Sequence, residues 1–238
     1  ELLSARINNS YDIVVIPGND NIDLKEFGRN VFKIPGPPTE DEVLASADIL
    51  NARSAIILTD TTLSPDNADA KVLMITLAVE TLNPQVYTCA QIMNSDNAIH
   101  LKRANVDELI LFDIIGANLS VASALSPGIT RMVSELIHFD DGSELYKVSP
   151  PIPEVLIGKR FNQAAIWFAE KDMILIGVES DELRDSYSAT RVTDANSNTI
   201  NDIHRGVFVN PKNYTLNKSD ALFVISEDAP DIVKVASN

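Results

Sequence analysis

The chain has 238 residues, enough for one large or two ordinary domains, and its hydrophobic content of 45% can supply a buried core. Its formal net charge of −15 repels phosphates and anionic headgroups, so no nucleic acid partner is expected. No apolar run approaches the roughly 18 residues of a membrane helix, and we expect a soluble chain. The single Cys89 rules out an internal disulfide and favours a reducing, cytosolic setting.

The first half of the chain alternates short apolar runs with helical patterns. Continuous apolar runs of this length are typical of strands that are covered on both faces. The predicted strands are 12–17, 31–34, 54–58, 85–90 and 108–112. Thr39 and Glu42 are spaced as a capping box for one of the intervening helices. Regular alternation of this kind predicts an α/β fold with a Rossmann-like, doubly wound parallel sheet.

Residues 1–10 read as the tail of a helix that feeds the first of these strands. A helix entering a parallel strand is the second half of a βαβ unit, so the strand at 12–17 is interpreted as the second of its sheet. In the usual order 3-2-1-4-5-6 the first strand is central. We therefore expect residues outside this chain to supply that strand, because a central gap leaves buried backbone groups unpaired.

Residues 113–139 predict two helices that follow the sheet. The first has apolar residues on nearly every side, whereas the second carries one stripe formed by Ile129, Met132, Val133, Leu136 and Ile137. Asp113 is predicted to cap the first helix, and Ser126 with Pro127 to begin the second. A helix that is apolar all round needs burial all round, so this segment is predicted to form a homodimer.

The remaining residues, 140–238, are predicted to form a small α+β domain after the turn at 140–143. A helix is expected at 153–168, and strands are expected at 173–178, 206–210 and 221–226. The two predicted domains are therefore residues 1–139, which include the dimerising helices, and residues 140–238.

Several stretches resemble the domain that regulates potassium conductance, the RCK or TrkA-type domain. They are ARSAIILTD, VETLNPQVYTCAQIMNSDNAIHLKRANVDELI, ANLSVASALSPGITRMVSELI and NPKNYTLNKSDALFVIS. The long loop TDTTLSPDNADAK is closest to the calcium-activated channel branch. The resemblance implies a cytosolic gating-ring domain that pairs through residues 113–139 and assembles into a tetrameric or octameric ring beneath a membrane pore. It also implies a place at the cytoplasmic face of the cell membrane.

Members of this family bind nucleotides or divalent cations. For a nucleotide (NAD, ADP or ATP), the resemblance points to Asn19 and Asp20 near the ribose and to Gln91 in place of a phosphate-binding arginine. Ligands of such sheets bind at the carboxyl ends of the strands, which adds Asp60, Asp66 and Asn67. No glycine-rich phosphate loop is present in the sequence.

For Ca²⁺, the acids that one branch of the family uses are replaced here by Leu58, Gln91 and Met93. Calcium prefers several carboxylate oxygens. Two other clusters of acidic residues are therefore candidate metal ligands. One cluster is Asp60, Asp66 and Asp69, and the other is Asp140, Asp141 and Glu144. The net charge favours Ca²⁺ over a nucleotide.

Two other functions remain as alternatives. One is a free-standing, nucleotide-binding regulatory subunit of a TrkA/Ktr-type potassium transporter. The other, an NAD-dependent enzyme, has little support, because the sequence contains neither a phosphate loop nor a set of proton-transferring residues. Enzymatic function in general has little support, because His100, His138 and His204 lack metal-ligand spacing and no nucleophile motif is present. We expect a regulatory protein and not an enzyme.

Overall fold

The computed structural model of the chain describes residues 12–17, 30–138, 142–181 and 206–230, together with the backbone of 192–193 and 199–200. The chain divides into two compact units. Among the described residues, the first unit contains 12–17, 30–126, 192–193 and 199–200, and the second contains 127–138, 142–181 and 206–230. The predicted domain boundary between residues 139 and 140 lies outside the described residues and stays a prediction.

The first unit is a parallel α/β structure, which confirms the predicted fold class. Its strands are β1 (Ile13–Val15), β2 (Val31–Lys33), β3 (Ser54–Ile57), β4 (Tyr87–Ile92) and β5 (Glu108–Leu111). Its helices between the strands are α1 (Asp41–Ser46), α2 (Pro65–Leu82) and α3 (Ala98–Arg103). Every pair among these five strands is parallel, as strands joined by helical crossovers must be.

The parallel strands form two separate ladders within the described part of the chain. One ladder is the pair β1–β2, and the other has the order β3–β4–β5. In the doubly wound order these ladders correspond to strands 3-2 and 4-5-6, so the break falls where the first strand belongs. This is the arrangement that the missing-strand hypothesis requires, and the origin of that strand stays a prediction.

Helix α2 supplies most of the core that covers one face of β3 and β4. Ser64 precedes the helix and Pro65 is its first residue, where a missing N–H costs nothing. Its buried apolar residues recur every three or four positions, which places them on one face; they are Ala68, Val72, Ile75 and Val79. Val72, Ile75 and Val79 of this stripe belong to the same cluster as Ile57 and Ile92 of the strands.

Two helices follow β5, as predicted, but their first residues differ from the prediction. Helix α4 (Phe112–Leu125) begins one residue early, so Asp113 lies inside its first turn. Helix α5 (Ile129–Ile137) begins after Gly128, whose φ of 105° suits glycine. Ser126 ends α4 instead of starting α5. The segment is thus a helix-turn-helix whose turn is set by glycine.

The second unit contains an antiparallel sheet with a helix on one face. Its strands are β6 (Glu144–Val148), β7 (Ile174–Ser180), β10 (Gly206–Val209) and β11 (Ala221–Ser226), whereas the short antiparallel pair β8 (Val192–Thr193) and β9 (Thr199–Ile200) belongs to the first unit. The four longer strands have the order β10–β7–β11–β6. Helix α6 (Phe161–Ala169) buries Phe161, Ala164 and Phe168 against them. The helix predicted from residue 153 begins later, because the chain turns at Gly158, where φ is 77°.

A polar network closes the connection between β10 and β11. Asp220 is buried and accepts hydrogen bonds from the Tyr214 hydroxyl at 3.0 Å and the Asn217 amide at 2.8 Å. The same tyrosine oxygen lies 2.8 Å from Ser180 Oγ of β7. The pattern of tyrosine, asparagine and aspartate in the NPKNYTLNKSD stretch is therefore explained by hydrogen bonds that fix this turn.

Candidate functional site

The carboxyl ends of β3 and β4 form a polar edge in the first unit. Parallel strands bring residues 58–60 and 92–94 to the same side of the sheet. Thr59 Oγ1 donates a hydrogen bond to the Gln91 carbonyl at 2.8 Å, which ties the two strand ends together. Ligands of open α/β sheets bind at such edges, so this is the candidate ligand crevice.

Asp60 follows β3 and is held by three donors. Its Oδ1 accepts hydrogen bonds from Thr62 N at 3.1 Å and Thr62 Oγ1 at 2.6 Å, and its Oδ2 accepts one from Lys71 Nζ at 2.9 Å. These hydrogen bonds, with that of the Thr62 hydroxyl first, lower the pKa of Asp60 to about 2. Asp60 is therefore an ionised carboxylate that already has a cationic neighbour.

Separate removal of the two side chains should show the effect of each on Asp60. We expect Thr62→Val and Lys71→Met each to raise the pKa of Asp60, since each removes a hydrogen bond that lowers it. The carbon-13 shift of the Asp60 carboxyl, followed against pH, measures both. An unchanged pKa in either variant would contradict the role of that side chain.

The same contacts predict how stability depends on acid. The folded-state pKa of Asp60 is depressed, so its contribution is present above the ordinary value of 3.8 and is lost as the pH falls toward about 2.

Asp69 holds the loop that leaves β4. Its side chain is 1% exposed, and its Oδ1 accepts a hydrogen bond from Met93 N at 2.9 Å. Its Oδ2 accepts hydrogen bonds from Asn94 N and Asn97 Nδ2, both at 2.9 Å. A carboxylate with these three donors positions the loop, and a cation would have to compete with them for the same oxygens.

The other predicted site residues are dispersed. Asp66 and Asn67 lie in the first turn of α2, where a negative charge favours the helix N-terminus. Glu144 is buried in the second unit and accepts a hydrogen bond from the Tyr146 hydroxyl at 2.8 Å. Asn19, Asp20, Asp140 and Asp141 lie outside the described residues.

No three His, Cys, Asp or Glu side chains gather as a metal-binding group in the part of the chain that the structure describes. The assignments of metal and cofactor residues stay predictions. The structure adds Thr59, Thr62, Lys71, Asn94 and Asn97 to the crevice. Asn94 has a partial signal in the sequence, since it lies shortly after the strand predicted at 85–90.

Helices α4 and α5 present the second candidate surface. None of the residues of α4 is buried, and Phe112, Val121 and Leu125 are 62%, 61% and 80% exposed. In α5, Ile129, Val133 and Leu136 are half-buried, whereas Met132 and Ile137 are exposed. Exposed apolar residues of this kind, on α4 and separately on α5, are typical of protein interaction sites.

The strand order and the helical crossovers define a Rossmann-like α/β domain. Residues 2–112 match the TrkA-N domain family. Over these residues the match confirms the resemblance seen in the sequence.

Curated relatives show the same resemblance, and one solved structure shares the fold. The calcium-gated potassium channel TvoK of Thermoplasma volcanium is 25% identical over 70% of this chain and 52% of that protein. Potassium channel protein 1 of Methanocaldococcus jannaschii is 26% identical over 56% of this chain and 38% of that protein. This chain thus spans about half or less of either relative. The human SLO3 gating ring shares the fold, with a TM-score of 0.67 and 16% identity over 94% of this chain and 41% of the ring chain.

No helix in the described residues combines the length and the hydrophobicity needed to cross a bilayer.

Proposed function

We propose that this chain is a ligand-sensing gating-ring domain that regulates a potassium channel from the cytoplasmic face of the membrane. One observation carries the proposal, and it is the exposed apolar surface of α4, which has Asp113 as its one charged residue. A second copy is the partner that can cover such a surface. The named relatives of this chain are channels, which favours this role over a free-standing transporter subunit.

The proposed mechanism is mechanical and not catalytic. Two chains pair through α4 and α5, and several pairs form a tetrameric or octameric ring attached to the pore. A ligand shifts the gate only by the difference between its binding free energies for the open and closed rings. The crevice lies at the ends of β3 and β4, which the contacts of Asp60 and Asp69 hold in place. A ligand bound there therefore acts on a part of the first unit that is already fixed.

Calcium is the ligand that we propose first, with a nucleotide as the alternative. The net charge of −15 attracts cations, and Asp60 is ionised at the crevice at neutral pH. Carboxylate oxygens suit Ca²⁺. TvoK is described as calcium-gated, which supports the same choice.

Calorimetric titration tests the ligand proposal. The purified protein is titrated with CaCl₂ and, separately, with NAD, ADP and ATP. We expect heat of binding from Ca²⁺ and a severalfold weaker interaction in Asp60→Asn. Asp172→Asn is the matched control, because Asp172 is an exposed turn residue of the second unit with positive φ, which asparagine tolerates. No heat from any of the four compounds contradicts the ligand proposal and leaves the pairing of α4 to be tested separately.

A further inference from the structure

A buried hydroxyl lies between two carboxylates at the opposite edge of the first sheet. Thr88, at the start of β4, is fully buried. Its Oγ1 lies 2.6 Å from Glu80 Oε1, in the last turn of α2, and 3.3 Å from Asp107 Oδ2, just before β5. The Thr88 amide also donates to Asp107 Oδ2 at 2.7 Å, and the Asp107 amide donates to Thr88 Oγ1 at 3.1 Å. The cluster therefore joins one helix to two strands.

While both acids are ionised, the three side chains have one hydrogen fewer than their hydrogen-bond contacts need. A threonine hydroxyl has one hydrogen and two lone pairs, so it can donate to only one carboxylate at a time. The 2.6 Å contact assigns that hydrogen to Glu80, which leaves the 3.3 Å contact with Asp107 without a proton. One added proton on Glu80 completes the set, because Glu80 then donates to Thr88 and Thr88 donates to Asp107.

The surroundings of Glu80 also favour its neutral form. Burial, and then the charge of Asp107, raise the pKa of Glu80, although the hydrogen bond from Thr88 opposes them. The last turn of α2 has no basic residue, and a carboxylate at a helix C-terminus is unfavourable. Arg53, Lys102 and Arg103 on neighbouring elements are not among the groups that set this pKa.

The other titratable groups near Glu80 carry either a negative charge or no charge. Tyr87 donates to Glu108 Oε2 at 2.9 Å, and Cys89 follows on the same strand. Burial raises the pKa of Tyr87 and of Cys89, so both groups stay neutral when the pH is near 7. Of the two neighbouring carboxylates Asp107 and Glu108, it is the charge of Asp107 that raises the pKa of Glu80.

We propose that a single proton on Glu80 fastens the C-terminal turn of α2 to the starts of β4 and β5, so that this unit responds to pH. The inference is independent of the proposed ligand and of the pairing of α4. The stabilisation is fully present below the unfolded pKa of 4.5 and is lost as the pH rises through the higher folded-state value.

Glu80→Gln tests the proposal, because glutamine keeps the shape and removes the charge. Amide protection factors of β4 and of the end of α2 are measured from pH 4 to pH 7.5 by hydrogen exchange. We expect the wild type to lose protection as the pH rises, and Glu80→Gln to keep most of it. The two proteins should agree near pH 4. Glu40→Gln is the matched control, since Glu40 is exposed and makes no capping hydrogen bond, and it should follow the wild type.

If Glu80→Gln folds poorly, a pH titration of the wild type still tests the proposal. The carbon-13 shift of the Glu80 carboxyl should titrate with a midpoint above 4.5, and protection of β4 should fall over the same pH range. A midpoint at or below 4.5, or protection that is identical in Glu80→Gln and the wild type at every pH, overturns the proposal.

Discussion

Ile115→Glu should leave the chain folded and should abolish its self-association. Ile115 is 55% exposed on α4, so the substitution creates no buried charge within a single chain. In a pair, the glutamate would be buried among apolar side chains without a partner, and that costs about 3 kcal/mol or more, over a hundredfold in Kd. Sedimentation equilibrium compares the two proteins directly.

A matched isoleucine provides the control for this variant. Ile166 of α6 is 62% exposed, lies on a helix of the second unit, and is assigned no pairing role. Ile166→Glu should therefore associate as the wild type does. If both variants lose association equally, or if Ile115→Glu keeps the wild-type mass, α4 is not the pairing surface.

Asp69→Ala should be the most destabilising single change at the crevice. The substitution leaves three donors, the amides of Met93 and Asn94 and the side chain of Asn97, without their acceptor in a buried place. Unsatisfied buried donors cost about 1–3 kcal/mol each, and partial relaxation of the loop makes a total of about 3 kcal/mol the expected loss. The free energy of local unfolding, measured by amide exchange in β4, reports it.

Asp66→Ala is the control for that loss. Asp66 lies one turn earlier on the same helix and is exposed, so only a favourable contact with the helix N-terminus is removed. The expected change is below about 1 kcal/mol. Equal losses in the two variants would show that Asp69 contributes helix propensity alone and does not hold the loop.

The architecture of the first unit could be predicted from the sequence because it depends on apolar spacing. The runs around Val14, Ile56, Ala90 and Leu109 have the length of covered strands, and each lies in or beside an observed strand. The need of α4 for a partner could be predicted for the same reason, because a helix with one charged residue has no polar face to turn toward water. The spacing of apolar and polar residues within short segments determines these features.

Helix ends could not be predicted in the same way, because they depend on the local turn. Thr39 and Glu42 have capping-box spacing, yet α1 begins at Asp41 after Glu40. The Glu40 amide donates to the Pro37 carbonyl at 3.1 Å, and this turn carries the chain past Thr39 before the helix starts. Gly128 shifts the start of α5 by a similar effect of backbone conformation.

The roles of the individual carboxylates could not be predicted from the sequence either. Asp60 and Asp69 look alike as acids near a strand end, and both were predicted as metal ligands. The structure gives Asp60 an ion pair with Lys71, eleven residues later, whereas Asp69 binds amides from residues 93 and 94. Such partners become neighbours only after the strands and the loop have taken their places. The sequence pattern therefore located the crevice but not the roles of its residues.

The most direct test of the account is hydrogen exchange of residues 112–125 in the wild-type chain at increasing protein concentration. If a second copy covers α4, protection of these amides rises with concentration, and the mass measured in parallel rises from that of one chain to that of a pair or a larger ring. Protection that stays constant while the protein remains monomeric at the highest concentration would contradict pairing through α4, and with it the proposed gating role.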